Sequence, residues 1–217
     1  VYTKVSIAAL VPIVVMSMIL FGSFIWHRGS VTRFKSTLIN VSVIIYLLLS
    51  PNIVKILFYL FSCIKLEDSY YMIRNTDIQC FSSEHTRWAL LLGFPLLLIY
   101  LVMIPVYLIV NLKRHFNYLH AETYKTKFGI LLVGVRKKYY YWEFSIFYKK
   151  ILIVFISTVL QSLDPAQQIL STAICLLIHL TFAKSLQPYQ MTQNNQVSEY
   201  AEIVLSFTLH FSIVFTV

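Results

Sequence analysis

The chain has 217 residues, of which 58% are hydrophobic and 12% charged, and its net charge is +9. With a mean hydropathy of +0.72 it carries about half the charge of an ordinary soluble domain, which argues against a water-soluble globule. The excess of base does not mark a nucleic-acid binder, because Lys and Arg gather at the ends of apolar runs, where membrane topology puts them.

Six apolar stretches, 5–26, 38–61, 88–112, 142–163, 166–186 and 200–217, each approach the roughly 20 residues a helix needs to cross hydrocarbon. Barrel strands would alternate every second residue over about ten residues, and these runs are longer and continuous. The predicted fold is therefore all-α, a polytopic bundle of six membrane-spanning helices, read as one domain over 1–217. The first run is too long for a signal-peptide core and no small-residue cleavage site follows it. The chain begins without Met, and Val217 falls inside an apolar run, so it reads as a piece of a longer protein.

The first connection, 27–37, holds Arg28, Arg33 and Lys35. Helix two carries Pro51 and Lys55 in its outer half. Lys55 points inward, away from the nearer interface, so it is expected to face a polar cavity or an acid, with Asp164 one candidate. The second connection mixes Lys65, Arg74 and Arg87 with Glu67, Asp68, Asp77 and Glu84. Cys63 and Cys80 bracket it and are expected to form a disulfide in an oxidising compartment, closing a loop worth about 3 kcal/mol. The alternative is two separate buried thiols. Helix three holds Pro95 and Pro105, and Pro12 lies in helix one; such prolines kink membrane helices and sometimes line cavities.

The third connection is the most basic, with Lys113, Arg114, Lys125, Lys127, Arg136, Lys137 and Lys138 against Glu122 alone. Its part-amphipathic stretch 116–135 is expected to lie on the membrane surface, where Lys125, Lys127, Arg136, Lys137 and Lys138 attract anionic headgroups. The fourth connection has no base. Alternation of positive charge places loops 27–37, 113–141 and 187–199 in the cytoplasm and the second and fourth connections outside.

Tyr139, Tyr140, Tyr141 and Trp142 form an aromatic belt at the start of helix four. Lys149 and Lys150 follow about 10 Å deeper. They either snorkel back to the headgroups or pair with acids. Glu143 lies two turns before Lys150, and Glu199 and Glu202 enter helix six from the same side. The ion pair expected from this layout is Lys150–Glu202. A voltage sensor is disfavoured, since two adjacent bases are not an Arg repeat. His179 and His210 lie inside helices five and six as hydrogen-bonded packing residues or as a proton relay. Cys175 is a small packing residue. No His pair at metal spacing, phosphate loop, nucleophile elbow or paired-carboxylate site is present, so neither an enzyme nor a cofactor is expected.

The segments "SPNIVKILFYLFSC", "DIQC", "RWALLLGFPLLLIYLVMIPVYLIV" and above all "KFGILLVGVRKKYYYWEF" carry a pattern, completed by "LQPY" and "EYAEIVLS". Over about 170 residues it resembles the C-terminal multi-pass membrane module of large protist surface proteins, abundant in ciliates. That module is distantly similar to TRP-like membrane domains. The family commonly has Arg-Lys where this chain has Lys149-Lys150, which keeps the charge and loses a bidentate guanidinium. The resemblance implies a membrane module of channel-like ancestry and brings no catalytic residues. The expected function is thus a channel-like ion-conducting or gating module, in a homo-oligomer or larger assembly within the lipid bilayer of a surface membrane. Ser206, Thr208, His210, Ser212 and Thr216 of helix six hint at a polar seam. The alternatives are an anchor for a large ectodomain, an accessory subunit of an organellar complex, and, less favoured, a transporter.

Overall fold

The computed structural model describes residue 3 and residues 31–118, 128–129, 131–160 and 164–216. The expected first span at 5–26, with Pro12, lies outside the described residues, as do Lys125 and Lys127. Contacts divide the chain into two compact units, Val1–Val133 and Gly134–Val217.

The first unit opens with α1, Val31–Phe61, which runs through Pro51 without a break. Buried Ser50 donates its hydroxyl to the Tyr46 carbonyl one turn back. The chain then forms three short antiparallel strands, β1 (Cys63–Leu66), β2 (Ser69–Met72) and β3 (Asn75–Gln79), in the order β1-β2-β3. Cys63 faces Met72 and Leu66 faces Ser69 across the first pairing, and Glu67 takes a left-handed φ of 53° in the tight turn. This sheet corrects the all-α expectation. Its strands are only four or five residues long, and the charged Glu67, Asp68 and Arg74 sit in the turns between them, so the sequence reads as a polar loop. The Cys63–Cys80 disulfide ties the start of β1 to the end of β3 across a Cα–Cα distance of 6.4 Å. Met72 and Cys80 pack beneath the sheet against Leu60 and Ala89.

Helix α2, Ser83–Arg114, follows. Ser82 caps it by accepting the His85 backbone N–H. Two stretches widen to π-helix, Ala89–Gly93 and Ile99–Met103, each ending one residue short of a proline. A proline ring clashes with the carbonyl four residues back; widening the turn moves that carbonyl away, and π-bulges are one recognised cause of helix distortion. In the wider register Ile104 N–H reaches the Ile99 carbonyl, so Pro105 would have been the donor to Tyr100. The Tyr46 hydroxyl supplies that missing bond at 2.7 Å. Gly93 lets the helices approach: a Cβ there would come within 2.7 Å of a Leu60 methyl and 3.2 Å of the Phe61 ring. Ile53 and Leu57 form the rest of the seam with Leu92, Leu96 and Tyr100.

The second unit holds α3 (Trp142–Val159), α4 (Pro165–Leu186) and α5 (Thr192–Thr216). Six spans were expected. Three described helices are long and apolar enough to cross a membrane, Thr37–Phe61, Ser83–Arg114 and Pro165–Leu186. Helix α3 carries Glu143, Lys149 and Lys150 within 18 residues, and α5 opens on a polar stretch.

Candidate functional site

A clasp in the second unit ties the segment that leads into α3 to the turn between α4 and α5. The segments 134–136 and 188–190 meet in a single antiparallel bridge: Arg136 N–H donates to the Pro188 carbonyl at 2.8 Å and Gln190 N–H to the Gly134 carbonyl at 2.7 Å. Val135 bridges Tyr189. Gly134 has φ +69° and Gln187, closing α4, has φ 45°, so both ends of the clasp turn through the left-handed region. Buried Asn195 on α5 grips Tyr189 twice, accepting its N–H at 3.0 Å and donating to its carbonyl at 3.1 Å. Burial raises the pKa of the Tyr189 phenol. The Trp142 indole nearby opposes the shift without reaching full hydrogen-bond geometry.

The clasp brings one face of each helix together. On α4 the buried stripe is Ala173, Leu176, His179 and Ala183, at helical spacing. On α3 Trp142 and Lys149 lie seven residues apart and so share a stripe. Glu202 comes from α5, ten residues after its start. The Lys149 ammonium sits 2.5 Å from Glu202 Oε1, and His179 Nδ1 sits 2.7 Å from the same oxygen. Their side chains are nearly shut off from solvent, at 13%, 6% and 8% exposure for Lys149, Glu202 and His179. The carboxylate assigns the imidazole proton to Nδ1. The His179 ring rests on the Trp142 indole, with centroids 5.2 Å apart. Cys175, one turn before His179, is a free thiol close enough to feel both charges.

Three polar atoms in these residues are buried without a hydrogen-bond partner among the described residues: His179 Nε2, Glu202 Oε2 and Trp142 Nε1. Two are acceptors and one a donor. Leaving such atoms unmade costs about 1–3 kcal/mol each. The ion pair adds a desolvation cost of several kcal/mol per charge. The cluster holds an ammonium and an imidazole on one carboxylate oxygen and so ties three helices together. It has no nucleophile–base pair, and among the described residues no three His, Cys, Asp or Glu side chains come together as a metal would require.

The predicted site residues divide. Glu202 and Lys149 meet, and His179 joins them as an unexpected third member. Lys150 does not reach Glu202: it is exposed, one step of about 100° round the helix from Lys149. It shares its own stripe with half-buried Glu143, whose charge it feels. Glu199 is half-buried, one turn before Glu202, and takes no part in the cluster's bonds. Lys55 is half-buried in α1 and belongs to the first unit, whereas Asp164 is exposed at the start of α4 in the second; no ion pair among the described residues includes Lys55. His210 is helical, and its side chain lies outside the described residues, as do those of Ser206, Ser212 and Thr216. Thr208 is exposed and gives its hydroxyl to the Val204 carbonyl. Arg136 and Lys138 are exposed and Lys137 is half-buried; Arg136 also donates to the Tyr189 carbonyl.

Sequence reasoning gave no role to His85. It is buried at the foot of the sheet, accepting Phe81 N–H at 3.3 Å and bonding the Leu60 carbonyl at 2.9 Å. It thereby satisfies a carbonyl left open at the end of α1. The only signal for it is a His in the first turn after a capping Ser. Asn195 was equally unmarked within a polar run.

Comparison with models of known protein families, with curated proteins and with solved structures gives no match for the chain.

Proposed function

We propose that the chain is a channel-like multi-pass membrane module. In this reading the Lys149–Glu202–His179 cluster couples the packing of α3, α4 and α5 to gating. The observation that supports it is the burial of a charged cluster, with unsatisfied acceptors, in a chain of this apolarity. Ionisable groups inside membranes are costly and concentrate at functional sites. The resemblance of the Lys127–Phe144 segment to the protist membrane module points the same way. The disulfide-tied hairpin suits an oxidising, extracytoplasmic side, and Lys113 and Arg114 at the far end of α2 suit the cytoplasmic one. Loops 27–37, 113–141 and 187–199 are cytoplasmic in this arrangement, in a surface membrane.

An anchor for a larger ectodomain is the second reading. What favours it is α2, of whose most apolar stretch only 17% is buried, as expected of a helix facing lipid on most sides. The deciding experiment is the particle mass in lipid nanodiscs followed by electrical recording. A symmetric homo-oligomer whose conductance changes with Glu202→Gln supports the channel reading. A silent monomer supports the anchor and removes the gating role.

A further inference from the structure

Helices α1 and α2 of the first unit do not close on one another along their whole length. Between them runs a groove of about 370 Å³, walled by apolar side chains together with Ser42, Tyr46, Ser50, Tyr100 and Tyr107. That volume is within the range of about 300–1,000 Å³ in which proteins hold small ligands. Three of the groove's five hydroxyls are spoken for. Ser42 donates its hydroxyl to the Leu38 carbonyl at 2.7 Å, Ser50 to the Tyr46 carbonyl, and Tyr46 to the Tyr100 carbonyl at 2.7 Å. A polar occupant would surrender its hydrogen bonds to water and find few in return, whereas a hydrocarbon chain surrenders none.

Charge stands at one end of the same stripe. Tyr100 and Tyr107 both line the groove, and Arg114 follows Tyr107 by seven residues in the regular α-helical end of α2, so it lies on the same face as Tyr107. Arg114 lies about 10 Å beyond Tyr107. It ends the helix together with Lys113, and both are exposed. A guanidinium grips phosphate oxygens in pairs, and the neighbouring ammonium adds a point charge. We propose that this groove seats one acyl chain of an anionic phospholipid, with its phosphate on Arg114 and Lys113. The inference rests on reading α1 and α2 as membrane-spanning. It is independent of whether the protein conducts ions.

The test uses the whole protein, first incorporated into nanodiscs and then stripped in detergent. Phosphatidylglycerol or phosphatidylcholine is added, and bound lipid is counted by native mass spectrometry. The wild type should retain phosphatidylglycerol about thirtyfold over phosphatidylcholine, the size of two basic contacts at a membrane surface. Lys113→Gln with Arg114→Gln should erase that preference while an acyl chain is still retained. Ser42→Phe, which fills the groove, should abolish retention of both lipids; if that variant does not fold, the charge variant decides alone. An indifferent wild type, a preference surviving the loss of both bases, or retention by folded Ser42→Phe would each overturn the proposal. A protein that enters nanodiscs but keeps no lipid sinks the groove alone; one that never enters them sinks the membrane reading as well.

Discussion

Lys149, and not its neighbour Lys150, holds Glu202, with the ammonium 2.5 Å from Oε1. Adjacent helix positions differ by about 100° in direction, and Lys149 is the one that shares a stripe with buried Trp142. Breaking a buried pair strands the other charge, at about 3–5 kcal/mol. Lys149→Ala and Glu202→Ala should each lower stability by that order, and the double variant by much less than their sum. Lys150→Ala should cost under about 1 kcal/mol, as exposed pairs do. Thermal unfolding in detergent across the cycle checks this, and additive losses for Lys149 and Glu202 would refute the pair.

His179 gives the same carboxylate oxygen a second donor. His179→Leu removes it and should cost about 1–3 kcal/mol, the range for a bond to a buried charged group. His179→Asn presents an amide N–H near the old Nδ1 position and should recover part of that loss. Equal stability of the two variants in the same unfolding measurement would show that the ring's packing on Trp142 matters more than its proton.

The Tyr46 hydroxyl substitutes for the N–H that Pro105 lacks. Tyr46→Phe leaves the Tyr100 carbonyl short of its donor, at about 1–3 kcal/mol. In a Pro105→Ala background the backbone has a donor again, so the same change should cost less. A Tyr46→Phe penalty identical in both backgrounds would break the link between the two residues.

Gly93 is required by proximity. Gly93→Val drives its Cβ into Leu60, and overpacking of this kind costs about 1–3 kcal/mol. Leu60→Ala in the same chain opens the space and should restore part of the loss. Denaturation midpoints of the single and double variants provide the comparison.

Cys63 and Cys80 close a loop across the three-stranded sheet. Replacing both by Ser should remove about 3 kcal/mol. Thiol labelling of the unfolded wild type should find Cys175 alone until a reductant is added. Labelling of all three cysteines without reductant would show that the bond does not form.

Periodicity and composition are properties of neighbouring residues, so the sequence alone carried the helical character of 38–61, 88–112, 142–159, 166–186 and 200–216. It also carried the position of the disulfide, because two cysteines bracket one polar loop. The sheet between them was hidden, since strands of four or five residues are too short to show an alternation that stands out. The π turns were equally hidden, though the prolines that provoke them were in plain view.

The site divides along the same line. Local spacing nominated Lys149, Lys150, Glu202 and His179 as intramembrane polar residues, because such residues are rare enough to see one at a time. Which lysine meets the glutamate, and that His179 joins them, depends on the rotation of three helices about their axes. That rotation is fixed by contacts far apart in the chain, the clasp of 134–136 on 188–190 and the grip of Asn195 on Tyr189. Only the tertiary structure decided it, because an angle of about 100° between adjacent helix positions is invisible until each helix has a neighbour to face.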